Sequence, residues 1–502
     1  MKRKVVLVYF SCVLLIASIL FLQNVYAGLG SLLLEKEQHW ETYGFGSACI
    51  GGGNNLFLMD VNGDSRDEIL VGGSVSKYLG EERIRPEIPL TIWSWDGENM
   101  EREDDFEWNA SVGSYISCVY AADADGDGDV EILTGQLVVN GSTYFTRLSV
   151  WSWDGTNLTF ETGTGATDLT GVSVRSIFVS DLDDDGLSEI IICGRKADDI
   201  KNSALLQIWH VGAEGLVLQK SVKWCASKDS SANTVYACDL NGDGVVEVVT
   251  GGYDNDLSNS SGQLRVWNWN GQELLLKANR EWRTVEGGYG ETIAGGVMGN
   301  TLVNNLKVRD VDDDGTAEIV AGGFAYDGEN VTAQVSVWSF DGDLLSLEGS
   351  KEWVSADITE VKGVSLDDVD GDGKVDIVGA GIIGVYGSFF DQNASPEKAE
   401  LTVWSWDGER FMQKIGYNWY IDEGASAQNL ATGDVDNDGV NEILTVGCSN
   451  IGALCDPDMR IWSIESVSSS SFNYFDAIII GGSVAVIVIV VTFLLVRKFR
   501  KS

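Results

Sequence analysis

Histidine is almost missing from this chain: His39 and His210 are the only two, far apart in the sequence. No Ser-His-Asp or Cys-His grouping can be assembled from them, which argues against nucleophilic catalysis of those kinds. Cysteine is sparse as well. Beyond the first 27 residues there are Cys49, Cys118, Cys193, Cys225, Cys238, Cys448 and Cys455, an odd number with no CxxC pair. That pattern excludes a zinc ribbon and a dense disulfide framework. Cys448 and Cys455 flank one short loop and predict a bridge in an oxidising exterior, with Cys225 and Cys238 the second candidate. Basic residues are few, 34 Lys and Arg against 76 Asp and Glu, for a formal charge of −42. Such a surface disfavours nucleic acid and anionic lipid. The acidity does not imply disorder, because 44% of residues are apolar and 17 are tryptophan.

Two short cationic clusters stand near the ends of the sequence. Met1-Lys2-Arg3-Lys4 opens an apolar run from Val5 to Leu22, followed by Val25-Tyr26-Ala27. This reads as a secretory signal over residues 1–27 with cleavage after Ala27. Ala477 to Val496 is an uncharged apolar stretch followed by Arg497, Lys498, Arg500 and Lys501. At 1.5 Å per residue, about 20 helical residues cross a bilayer core, and the basic flank sets the tail inside the cell. The expected order is therefore signal 1–27, ectodomain 28–465, Ser-rich linker 466–476, transmembrane helix 477–496 and basic cytoplasmic tail 497–502. Sequons at Asn109, Asn140, Asn157, Asn259, Asn330 and Asn393 accord with a surface glycoprotein.

Internal repetition fills the ectodomain. One acidic motif occurs seven times, opening at Asp60, Asp123, Asp181, Asp239, Asp310, Asp368 and Asp434. Small residues follow each copy, as in Thr250-Gly251-Gly252. A tryptophan motif keeps step, starting at Trp93, Trp151, Trp209, Trp267, Trp338, Trp404 and Trp462, and Trp151-Ser-Trp-Asp-Gly155 is a clear copy. A third mark, such as Trp224, Trp282, Trp353 or Trp419, precedes most of the next acidic motifs. Each unit reads as four strands: a before the acidic motif, b after it, c ending in the tryptophan motif, and d after an Asp-Gly turn. The seventh unit has no room for strand d, and the N-terminal segment Ser31–Trp40 resembles one. The prediction is an all-β fold, a seven-bladed β-propeller of four-stranded blades with the N-terminal strand closing the last blade, plus one C-terminal transmembrane helix.

Asp-x-Asp/Asn-x-Asp-Gly sets oxygens at positions 1, 3 and 5 of a tight loop, with an acid at position 9. Such a shell suits Ca²⁺. An EF-hand is excluded, since position 12 holds Val71, Thr134, Ile192, Thr250, Ala321, Gly379 and Thr445. The predicted ligands are Asp60, Asn62, Asp64 and Glu68; Asp123, Asp125, Asp127 and Glu131; Asp181, Asp183, Asp185 and Glu189; and Asp239, Asn241, Asp243 and Glu247. The remaining loops supply Asp310, Asp312, Asp314 and Glu318; Asp368, Asp370, Asp372 and Asp376; and Asp434, Asp436, Asp438 and Glu442. Up to seven structural Ca²⁺ ions are expected. The first loop, with Ser65 in place of glycine, is expected to be the weakest, and the short Asp376 to need a water.

Seven acidic loops, each followed by a β run ending in Gly-Gly or a similar small pair, resemble FG-GAP repeats, found in integrin α subunits and related prokaryotic surface proteins. The resemblance covers nearly all of residues 28–465. It implies the same propeller and the same calcium ligands, residue by residue. The Gly-Ala-Pro element is absent, no ligand-binding domain is inserted and no long cytoplasmic tail follows, so integrin-style signalling is not implied.

The function expected is adhesion or recognition of an extracellular protein partner at the cell membrane, without enzymatic activity. The contacts are assigned to b–c loops such as Ser74 to Leu90, Tyr253 to Gln263 and Gly381 to Glu400. A carbohydrate-binding, lectin-like surface is the alternative, and a polysaccharide-active enzyme a third reading.

Overall fold

The strands of each repeat follow from alternation in sequence and from where the polar loops interrupt it. In the fifth repeat, Thr301–Arg309, Glu318–Tyr326, Val331–Phe340 and Leu345–Trp353 pair in order, each antiparallel to the last. The computed structural model describes residues 31–465, apart from 40–53, 74, 79–83, 110–113, 141–142, 166–167, 199–200, 226–227, 256–259, 284–291, 294–295, 298–300, 327–329, 385–397, 421–423 and 450–455. Leu32–Ile464 form one compact unit.

Burial falls from strand to strand. Strand b of the sixth repeat, Asp376–Gly384, is buried along its whole length, so it needs apolar cover on both faces. Strand d of the fifth, Leu345–Trp353, is mostly half-buried or exposed. The cover for strand b comes from neighbouring repeats. Val320, Val335 and Val337 of the fifth repeat pack with Val361, Ile377 and Trp404 of the sixth. Ile69, Val71 and Trp93 of the first share a cluster with Leu444, Val446 and Ile461 of the seventh. The N-terminal strand Ser31–His39 pairs with the last strand, Asp456–Glu465.

The expectation of a seven-bladed propeller with a transmembrane helix is contradicted. The strands are not partitioned into seven four-stranded blades: the sheets hold four, five, eight, five, two and eight strands. Both eight-stranded sheets are mixed. A parallel bridge between Asn202 and Asp229 joins the third repeat to the fourth, and one between Val331 and Ile358 joins the fifth to the sixth. Backbone amides hold these junctions, Asn202 donating to Lys228 O at 3.0 Å and Val331 to Asp357 O at 2.9 Å. Side-chain alternation carries no trace of such backbone bridges, which is why the sequence suggested separate blades. No helix among the described residues is long and apolar enough to cross a membrane. Segments 1–27, 466–476, 477–496 and 497–502 lie outside the described residues.

Two of the expected loops are largely strand. Val75–Tyr78 pairs with the start of Ile84–Trp95, and Tyr253 to Asn255 pair with Ser260 to Gly262. Much of the third, 385–397, lies outside the described residues. Cys448 is disulfide-bonded, whereas Cys225 and Cys238 are free thiols. Cys455 lies outside the described residues.

Candidate metal centres

One loop geometry recurs seven times, and the backbone dictates it. Position 6 has positive φ in every copy, from Gly128 at 96° to Ser65 at 72°. Position 4 does too, which explains why it is held by Gly63, Gly126, Asp184, Gly242, Asp313, Gly371 and Asn437. Glycine, Asn and Asp tolerate that region best. The turn aims backbone amides at the side chains of positions 1 and 5. The position 6 amide donates to the first aspartate, as from Gly244 to Asp239 Oδ2 at 2.8 Å. The position 7 amide donates to the position 5 aspartate, as from Val245 to Asp243 Oδ1 at 2.9 Å.

Position 2 anchors the loop in the core through Val61, Ala124, Leu182, Leu240, Val311, Val369 and Val435, all buried. In six repeats its amide donates to the position 9 glutamate, at 3.0 Å to Glu68, 2.8 Å to Glu131, 2.9 Å to Glu189, 3.1 Å to Glu247, 3.0 Å to Glu318 and 3.1 Å to Glu442. These glutamates are buried and fixed beside aspartates that are half-buried at position 1 and exposed at position 5.

The electrostatics follow from that placement. Burial, with the charges of neighbouring aspartates adding to it, pushes Glu68, Glu131, Glu189 and Glu318 from 4.5 up to about 7. Glu442 rises to about 8 for the same reasons, and Glu247 also rises. Carboxylates gathered this way resist ionising together unless a cation joins them. Ligand oxygens of Asp181, Asp183 and Glu189 lie within 4.8 Å of one another, as do those of Asp123, Asp125 and Asp127. Asp183 Oδ1 is buried without a hydrogen-bond partner. An unsatisfied buried carboxylate oxygen amid other acids fits a hard cation.

Sequence reasoning missed the residues that approach these loops from strand d. Oxygens of Glu161 come within 4.8 Å of those of Asp125 and Glu131, and Glu35 stands likewise with Asp436 and Glu442. The sixth loop differs. Lys414 Nζ lies 2.7 Å from Asp370, 2.9 Å from Asp372 and 2.8 Å from Asp376. A signal was present: Glu161, Glu348 and Lys414 each stand ten positions after the first strand-c tryptophan, Trp151, Trp338 or Trp404.

A second concave feature is a cavity of about 540 Å³ lined by strand-a residues of all seven repeats. Phe57, Tyr120, Phe178 and Tyr236 form one wall, with ring centroids 4.4, 5.2 and 4.5 Å apart in sequence. Lys307 and Arg309 also line it. The tryptophan pairs do not face any such space: Trp151, Trp153, Trp404 and Trp406 are at most 5% exposed.

No family model matches the chain, and no curated protein matches it. Among solved structures, it is similar to a rhamnogalacturonan lyase of Bacillus licheniformis, at 14% identity and TM-score 0.34, over 84% of this chain and 91% of that one. It is also similar to the V. cholerae biofilm matrix protein Bap1, at 13% identity and TM-score 0.32, over 87% of this chain and 70% of that one. At those scores neither likeness assigns a fold or an activity.

Proposed function

We propose that this chain is an extracellular recognition scaffold whose acidic loops hold structural Ca²⁺, in the manner of the FG-GAP repeats they resemble. The observation that carries this reading is the set of six buried position 9 glutamates, each fixed by a backbone amide beside two or three further acids. The aspartates at positions 1, 3 and 5 and the glutamate at 9 would hold the ion. The ion would supply the positive charge that lets them ionise together. Its role is structural, because each loop joins strands a and b and bears on the next repeat. A Cβ added to Gly271, in the c–d turn of the fourth repeat, would come within 2.7 Å of Asp183 Oδ2 in the third loop.

With free calcium about tenfold above Kd, one site stabilises the fold by about 1.4 kcal/mol. Several sites together are comparable with the whole stability of a domain. EGTA should therefore lower the melting temperature of the full-length protein by many degrees, and calcium should restore it. An unchanged melting temperature in scanning calorimetry sinks the calcium reading.

The partner we assign is an extracellular protein, bound at the cell surface through the loops at the opposite ends of the strands from the acidic loops. The cavity favours a second reading, a carbohydrate ligand, since an aromatic wall with Lys307 and Arg309 suits an acidic sugar. A glycan array probed with calcium-loaded protein separates the two. Binding to a defined set of acidic glycans, lost in Tyr236→Ala, favours the second reading; silence favours the first.

A further inference from the structure

The fourth strand carries the same irregularity in every repeat where its register is described. Between the partners of the first strand-c tryptophan and of the residue before it, one strand-d residue is skipped. The skipped residues are Glu103, Glu161, Gln219, Lys277, Glu348 and Lys414. A β-bulge of this kind re-aims one side chain without disturbing the rest of the ladder. In several repeats it turns that side chain toward the acidic loop. Glu161 joins Asp125 and Glu131, and the charge of Glu348 bears on Asp312 and Glu318. Glu35, on the N-terminal strand, stands in the same relation to the seventh loop.

In the sixth repeat the bulged residue is a lysine. Its side chain is 14% exposed, and its ammonium touches a carboxylate from positions 3, 5 and 9 of one loop. Asp376, the last of these, is fully buried. Asp370 and Asp372 each accept a hydrogen bond from the ammonium, and Asp376 stands in ion-pair contact with it. Those are the residues that would otherwise share a divalent ion.

We propose that a charged bulge residue of strand d turned onto its acidic loop selects that loop's counter-ion: Glu161 adds a ligand for Ca²⁺ in the second, and Lys414 takes the ion's place in the sixth. A divalent cation entering that loop would have to expel the ammonium or sit against it, at a Coulomb cost that grows as the site is desolvated. The sixth loop is then held together in the absence of calcium, which the second, with Glu161 beside it, is not.

This inference rests on the calcium reading, and the test separates the two. Calcium bound per chain is counted by equilibrium dialysis of the full-length protein with radioactive Ca²⁺. Lys414→Glu should bind one ion more than the unaltered protein, and Glu161→Lys one fewer. Lys414→Met, which removes the charge and keeps the bulk, guards against misfolding of the first variant. Hydrogen exchange on the unaltered protein gives a second readout. On adding EGTA, the peptide spanning 123–131 should lose protection while that spanning 368–376 keeps it. Equal ion counts in the unaltered protein and both Lys414 variants overturn the inference and leave the calcium reading standing. So does equal loosening of the two peptides. No bound calcium in any of these proteins overturns both.

Discussion

At the scale of single residues, position 12 of the acidic motif has a role the ligand argument did not reveal. Its occupants served in the sequence only to exclude an EF-hand. In the structure, Thr134, Thr250 and Thr445 each accept the indole N–H of the strand-c tryptophan opposite, at 3.1 Å from Trp151, Trp267 and Trp462. Where threonine is absent, a strand-c neighbour substitutes, Ser336 for Trp338 and Gln207 for Trp209. The sixth repeat has Gly379 there, and Trp404 Nε1 is left without a partner. Thr250→Val keeps shape and removes the acceptor, leaving a buried N–H unpaired. It should cost about 1–3 kcal/mol in urea unfolding, and Thr250→Ser should recover most of it. Equal stability of the valine and serine variants would dismiss the hydrogen bond as a contributor. The seven tryptophans were legible from sequence as core; their polar partners were not, because a threonine on a β run is expected on propensity alone.

Individual elements explain the glycine pairs. Strand a carries its own bulge, with a register break between Val303 and Asn305 in the fifth repeat and between Ala232 and Thr234 in the fourth. The bulge brings its backbone against strand b. A Cβ on Gly323 would stand 1.9 Å from Leu302 O, and one on Gly252 2.0 Å from Ser231 O. Both partners are main chain, so no rotamer change relieves the clash. Gly323→Ala should therefore destabilise by more than its buried area suggests, at the high end of single substitutions, about 4 kcal/mol. Near-normal stability of Gly323→Ala in urea would mean that strand a gives way. The repeat, strand order and acidic loops were visible as periodic letters. The bulges were not, since a skipped residue in strand d looks like any other position until the register is known. Glu161, Glu348 and Lys414 were missed for that reason, although their spacing from the tryptophans is constant. The regularity of the third tryptophan mark was plain, but only packing shows Trp282 tilted at 45° to Trp338 with centroids 4.9 Å apart, and Trp353 at 47° and 5.6 Å from Trp404 of the following repeat.

Across the whole molecule, the acidic loops and the seams between repeats respond to solution conditions together. Loop residues at position 3 lie against turns of the neighbouring repeat; a Cβ on Gly97 of the first would come within 2.8 Å of Asp436 Oδ2 of the seventh. Loosening of a loop therefore loosens a seam. Burial and like charge lift Glu68, Glu131, Glu189 and Glu318 from 4.5 to about 7, lift Glu442 to about 8 and raise Glu247 as well. Between those values the ion-free folded protein retains protons that the unfolded chain has released. Its stability from these groups is full below pH 4.5 and is lost as pH rises through about 7 to 8. Calcium reverses the sense of the dependence, because it binds only the ionised carboxylates and gains affinity as they deprotonate. Melting temperature measured from pH 5 to pH 8 should therefore fall in EGTA and hold or rise in calcium, with the two curves farthest apart at the alkaline end. Curves that run parallel across this range would mean that the buried glutamates and the ion do not compete for the same charge, and the loops would then need another counter-ion.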